Sequence, residues 1–140
     1  MSQKTNSIEK HRYEALSDFR YKLRCFLRFS EDAAQEEGIT ALQYQLLLHT
    51  QGIPGRNWAT VSEIADRLQT QVHGVVALVT RCEEAGLVER RPSEQDRRQV
   101  EIHLLPAGRR KMFRLAAQHS AQLSALVDAV TLASRVDEET

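Results

Sequence analysis

The stretch from Thr60 to Leu104 constrains this chain most. Thr60-Val-Ser-Glu63 has the form of a capping box, in which a Thr hydroxyl and a Glu carboxylate satisfy N–H groups that a helix start leaves unpaired. The short helix it opens carries Ile64, Ala65 and Leu68 to one side. Soon after, Val72, Val75, Leu78, Val79 and Cys82 recur at helical steps, and Gly86 supplies a left-handed stop. Two short helices joined by a tight connection, with the small Ala65 where they cross, read as a helix-turn-helix. Leu87–Arg91 and the alternating Val100–Leu104 then read as strands around the polar segment Pro92–Arg98. A helix-turn-helix followed at once by a hairpin with arginines at its tip is a winged helix.

The flanks are helical. Tyr13, Leu16, Phe19, Leu23 and Phe26 form one stripe of an amphipathic helix from about Glu9 to Ala34, which Gly38 ends. That helix is longer than a small globule needs, so part of its stripe is expected to pack on something else. Thr40-Ala-Leu-Gln43 is a second capping box, whose helix continues through Tyr44, Leu47 and Leu48 until Gly52-Ile-Pro-Gly55 breaks it. From Pro106 the chain returns to helix through Met112, Leu115, Leu123, Leu126, Val127 and Val130. The expected fold class is mainly α with a small β-hairpin wing.

Composition narrows the function. At 140 residues, 41% hydrophobic and 27% charged, the chain has the make-up of one ordinary globular domain. No apolar run approaches the roughly 20 residues of a membrane span, and the polar start lacks a signal-peptide core. Cys25 and Cys82 stand far apart and outside any C-x-x-C, which suits a reducing compartment; the cytoplasm is the expected location. Net charge is zero, but Arg90, Arg91, Arg97, Arg98, Arg109, Arg110, Lys111 and Arg114 face only Glu94, Asp96 and Glu101 across that segment. Such a local surplus meets what phosphate binding requires, although a solvated face with no partner produces the same pattern.

Val61-Ser-Glu-Ile-Ala-x-x-Leu68, Leu78-Val-x-Arg-Cys-Glu-x-x-Gly-Leu-Val88, Asp96-Arg-Arg98 and Leu104-x-Pro-x-Gly-Arg109 together resemble the MarR family of bacterial regulators. The resemblance implies a homodimeric, DNA-binding transcription regulator reading a pseudo-palindromic operator, in many members released by a small ligand or an oxidant. On that pattern, about 1–37 and 106–140 are dimerisation helices and about 40–105 form the DNA-binding lobe. Three departures stand out. Leu105 replaces the family's Thr before the proline of the fifth helix. Gln71 stands where many members start the recognition helix on Ser or Thr. The tail after Pro106 is short, so the last helix is expected to be truncated or fused to the fifth.

Each candidate has a role that its chemistry allows. With Val75, Leu78, Val79 and Cys82 inward, the helical step turns His73, Gly74, Ala77 and Arg81 outward, and Gln71 stands at the helix start. Gln71 and His73 can donate to or accept from base edges, whereas Val76 and Ala77 can touch only a thymine methyl. Arg81 matches the family's arginine at its place and is expected to grip phosphate. So few base-reading side chains leave much of the specificity to DNA shape. Arg98 matches the family arginine that enters the minor groove, with Asp96 expected to hold it by a charge-assisted bond. Arg97, Arg91 and Arg90 are expected phosphate partners. A crevice lined by Phe19, Leu23, Tyr44, His49 and Trp58 is the expected seat of a small aromatic effector; filling a core is the plain alternative for the same side chains.

No metal site, cofactor or catalytic residue is expected. The five histidines (His11, His49, His73, His103, His119) are scattered, both cysteines read as structural, and no nucleophile–base order stands out. The rival reading is a winged helix that serves only protein contact or dimerisation, against which the tip arginines count.

Overall fold

The computed structural model describes residues 2–138. In chain order it comprises α1 (Ser2–Glu36), α2 (Ala41–Gln51), β1 (Trp58–Thr60), α3 (Val61–Leu68), α4 (Val72–Glu84), β2 (Val88–Pro92), β3 (Val100–Leu104) and α5 (Pro106–Glu138). The mainly helical winged-helix class is as expected. α1 starts well before Glu9, because Gln3, Lys4 and their neighbours, though off the apolar stripe, include good helix formers. α5 runs as one helix to Glu138, so the last helix is fused to the fifth rather than truncated.

Two compact units can be distinguished. The first comprises Met1–Ala33 and Ala117–Thr140, the second Ala34–Ala116. In the first, Ala15, Ala33 and Ala129 are buried, and Phe26 and Phe29 meet the buried His119 ring edge-on at centroid distances of 5.7 and 5.2 Å. The same unit leaves Tyr13, Leu16, Tyr21 and Leu27 of α1, with Leu123, Val127, Val130 and Leu132 of α5, exposed.

The second unit is the lobe. Both capping boxes form: Thr40 and Thr60 each accept the N–H of the residue three on, while Gln43 and Glu63 accept the Thr N–H in return. Tyr44, Leu46 and Leu47 are buried on α2, but Leu48 is 38% exposed, one helical step past the face that packs. The turn between α3 and α4 rests on Gln69, which takes the left-handed conformation (φ 53°) with no glycine to ease it. Ile64, Val75, Val79, Cys82, Leu87, Val88 and Ile102 are fully buried around this junction.

The sheet has three strands in the order β1-β3-β2, all antiparallel. β1 was not expected; three residues are too few to show an alternation. Its register places Ala59 against Ile102 on the buried face and Trp58 against His103 on the outer face. Gly108 closes the lobe from α5. A Cβ there would stand 2.2 Å from the Leu87 carbonyl oxygen, which also accepts the Leu105 N–H at 2.9 Å. Leu105, where the family has Thr, thus anchors the hairpin base through its backbone.

Candidate nucleic-acid interface

α4 presents two faces set by its apolar spacing. Val75, Leu78, Val79 and Cys82 are buried, while His73, Ala77 and Arg81 are exposed and Gly74 half-exposed. Gln71 is the N-cap residue, but its side chain makes no capping bond, consistent with its replacing Ser or Thr. The N-terminal N–H groups therefore lack the usual hydroxyl partner, and the Gln71 amide is exposed. Burial pushes the Cys82 thiol up to about 11, with Arg81 opposing, so it stays protonated and inert at neutral pH.

The wing tip is an ordered loop. The buried Ser93 hydroxyl accepts the N–H groups of Gln95 (3.3 Å) and Asp96 (3.2 Å). Asp96 Oδ1 accepts the N–H of Arg98 at 3.0 Å, Gln99 donates to the Asp96 carbonyl, and Ser93 donates to that of Gln99. The expected bond from Asp96 to the Arg98 guanidinium is replaced by this backbone contact. A carboxylate two residues before an N–H closes an Asx turn more readily than it reaches a long side chain. Arg97 and Arg98 are exposed, with no side-chain ion pair among the described residues. Ser93 went unremarked in the sequence; a serine three residues before an aspartate in a hairpin loop is the signal that was there to read.

Below the tip the arginines behave differently. Arg90 shares the sheet's inner face with Ile102 and turns toward α4. Its guanidinium pairs with Glu83 and donates to the Val76 carbonyl (3.1 Å) and the Thr80 hydroxyl (3.0 Å), and its backbone N–H donates to Glu83 Oε2 (3.1 Å). Arg90, the expected phosphate partner, is thus bound within the lobe. Arg91, on the outer face, pairs with Glu89 and remains half-exposed. The basic run at the start of α5 is also partly engaged. Arg114 grips the Glu37 carboxylate with two nitrogens, Lys111 reaches the Glu37 carbonyl, and Arg109 donates to that of Leu104. The Arg114 bond, with its charge, holds the Glu37 carboxyl below its usual range.

Of the cleft candidates, Tyr44 is buried and His49 half-buried on α2; Phe19 and Leu23 are half-buried on α1. Trp58 lies on the outer sheet face, stacked on His103 (6.2 Å) beneath the Arg56 guanidinium (4.1 Å). It lines a recess of about 330 Å³ with Arg91, Pro92, Glu94, Gln95, Glu101 and His103. Arg56 continues to Glu63, so the tryptophan is tied to the α3 capping box. Burial opposes ionisation of Glu63, but the Thr60 bonds and Arg56 outweigh it and lower its pKa. A second cleft, of about 270 Å³, brings wing residues Arg98, Gln99 and Val100 beside Thr60–Ser62 and Val72 and Val76. The wing thus stands next to the N-terminal ends of α3 and α4. Among the described residues no cluster of three or more His, Cys, Asp or Glu side chains could hold a metal, and no helix is long and apolar enough to cross a membrane.

This lobe is a winged helix whose wing stands beside α4, and comparison with known proteins places it. Residues 37–99 match the model of the MarR family. The fold is shared with solved MarR family regulators: AbsC from Streptomyces coelicolor is 26% identical, over 77% of this chain and 73% of that one, with a TM-score of 0.67. SP03579, a MarR family transcription regulator, is 24% identical over 99% and 89% of the two chains (TM-score 0.73). Reduced AbfR, solved bound to DNA, is 25% identical over 86% and 83% (TM-score 0.59). No curated protein sequence matches the chain. The resemblance to the MarR family read from the sequence is borne out, and the fold is that of its transcriptional regulators.

Proposed function

We propose that two copies of this chain form a dimer that binds double-stranded DNA and represses transcription until a small molecule releases it. The observation that carries DNA binding is the contrast in arginine use within the lobe. Arg97 and Arg98 on the ordered tip, and Arg81 on α4, are exposed and unpaired among the described residues, while their neighbours are bound internally. Exposed guanidinium groups beside a helix with a small, uncharged face (Gly74, Ala77, with Gln71 and His73) suit a helix laid in the major groove and a wing on the flanking backbone. Arg98 is aimed at the minor groove, Arg97 and Arg81 at phosphate. Support also comes from AbfR, whose structure holds DNA.

Dimerisation accounts for the exposed apolar side chains of the first unit. Tyr13, Leu16, Tyr21 and Leu27 with Leu123, Val127 and Val130 are large apolar side chains left exposed in this one unit, a pattern that marks interaction surfaces. Each protomer then contributes one recognition helix, to half-sites about 10 base pairs apart. The effector belongs to the same reading, and Tyr44 and His49 on α2 are its candidate side chains within the lobe. Electrophoretic shifts with DNA upstream of the protein's own gene, at several salt concentrations, test DNA binding. A sequence-dependent shift protected over two half-sites is expected; equal retention of any duplex overturns it. Sedimentation at micromolar concentration tests the dimer, and a panel of aromatic acids in a thermal-shift assay tests the effector.

A further inference from the structure

We propose that Arg90 and Glu83 form a strut that fixes the spacing between recognition helix and wing, and so determine sequence specificity without touching DNA. The inference rests on the DNA-binding reading above and assigns these two residues a positioning role within it. Arg90 projects from the sheet face that carries buried Ile102 and spans two turns of α4: the Val76 carbonyl and Thr80 hydroxyl at one end, Glu83 at the other. Glu83 takes both the guanidinium and the backbone N–H of Arg90, so strand and side chain are clamped together. Thr80 completes the set, donating its hydroxyl to the same Val76 carbonyl at 3.1 Å.

The geometry has a functional consequence. A hairpin held only at its base pivots, and its tip, beyond Pro92, sweeps the farthest. The clamp lies between the base at Val88 and the tip at Ser93–Gln99, where it restrains that pivot most directly. With it in place, α4 and the wing move as one body, so a major-groove contact and a minor-groove contact must be met together. Half of the clamp is acidic, although α4 is the element laid against phosphates. A glutamate there weakens non-specific attraction, which makes sense if its work is geometric.

The opposite charges make the test decisive. Duplexes selected from a random library by the wild-type protein are compared with unselected random duplex for Arg90→Ala, Glu83→Gln and the double variant. A strut predicts that both single changes lower the selected-to-random affinity ratio by about tenfold, as expected for loss of a charge-assisted bond. The salt slope on random DNA should stay within about half a unit of wild type, and the double variant should be no worse than either single. Glu83→Gln is the critical arm, since removing a negative charge near phosphate should otherwise tighten binding. Tighter binding of both DNAs by that variant overturns the strut; so does a slope lower by about one unit for Arg90→Ala with the ratio intact, which marks a plain phosphate contact.

A readout without DNA separates this inference from the reading beneath it. Order parameters of the 91–99 amides in the free protein should lie near about 0.85 in wild type and fall toward about 0.6 in either variant. Unchanged values overturn the strut even if DNA binding holds. If the wild-type protein selects no sequence, DNA reading fails while the amide result still decides whether the clamp fixes the wing. Should Arg90→Ala not fold, Glu83→Gln carries both measurements alone.

Discussion

The base and the tip of one hairpin use arginine in opposite ways. At the base, Arg90 is half-buried and bound to α4 and Arg91 lies along Glu89; at the tip, Arg97 and Arg98 are exposed and make no ion pair among the described residues. All four belong to the same basic stretch of sequence. What separates them is the fate of the nearest acid: Glu83 and Glu89 meet base arginines directly, whereas Asp96 is occupied by a backbone N–H and leaves the tip side chains free. A charge surplus in a sequence therefore measures how much positive charge is present, not how much is available to a partner. On this molecule the available part is smaller than the count suggests, and it includes Arg97 and Arg98 on the tip.

The contrast is broken most severely at its anchor. Gly108→Ala would drive a methyl group into the Leu87 carbonyl, a backbone atom that cannot swing aside. Stability should fall by about 3 kcal/mol, the upper end of overpacking costs, read as a lower denaturant midpoint. Tip substitutions should do nothing comparable. Arg98→Ala should leave the midpoint unchanged, yet lower affinity for a selected operator by about 1–3 kcal/mol and weaken the preference for A·T pairs under the wing. Equal proportional losses on operator and random DNA would reduce the tip to an electrostatic handle.

Much of this was readable from the sequence, and the exceptions have physical causes. Both capping boxes, the αL stop at Gly86 (φ 74°) and the burial of Val75, Leu78, Val79 and Cys82 follow from local rules, and local rules are what sequence displays. β1 escaped because its three residues owe their strand to β3, more than 40 positions later. The helix-turn-helix turn hides a left-handed residue at Gln69, where glycine would have announced it. The partners of Arg90 are hidden for the same reason as β1: Val76, Thr80 and Glu83 lie across a tertiary contact. The position of Trp58 on the outer face likewise follows from its register with His103, which the sequence does not display. Local chemistry shows in sequence; partnership across elements does not.

A smaller effect sharpens the order of the tip. Ser93 is buried in a loop that is otherwise exposed, and its hydroxyl is the acceptor on which two N–H groups converge. Ser93→Ala removes that acceptor and should cost about 1 kcal/mol in affinity for a selected operator through a less ordered tip. Ser93→Thr restores the hydroxyl and should recover most of the loss, as measured by titration of labelled duplex. Failure of the threonine to rescue would show that the loop does not depend on this hydroxyl.

The smallest expected effect belongs to Asp96, and it decides what that residue is for. If its charge holds the Arg98 guanidinium, then Asp96→Asn and Asp96→Ala should be nearly equivalent, since both abolish the ion pair. The structure shows an acceptor instead: Oδ1 meets the Arg98 N–H at 3.0 Å, a bond that an amide oxygen can make as well. Asp96→Asn should therefore bind a selected operator within about 0.5 kcal/mol of wild type, any change favouring the variant because a negative charge near phosphate has gone. Asp96→Ala loses the acceptor and should fall by about 1 kcal/mol, with the amide of Arg98 exchanging faster in the free protein. The two substitutions remove the same charge and differ in whether an oxygen remains. Comparable losses from both would restore the ion-pair account of the wing and erase the contrast drawn between its base and its tip.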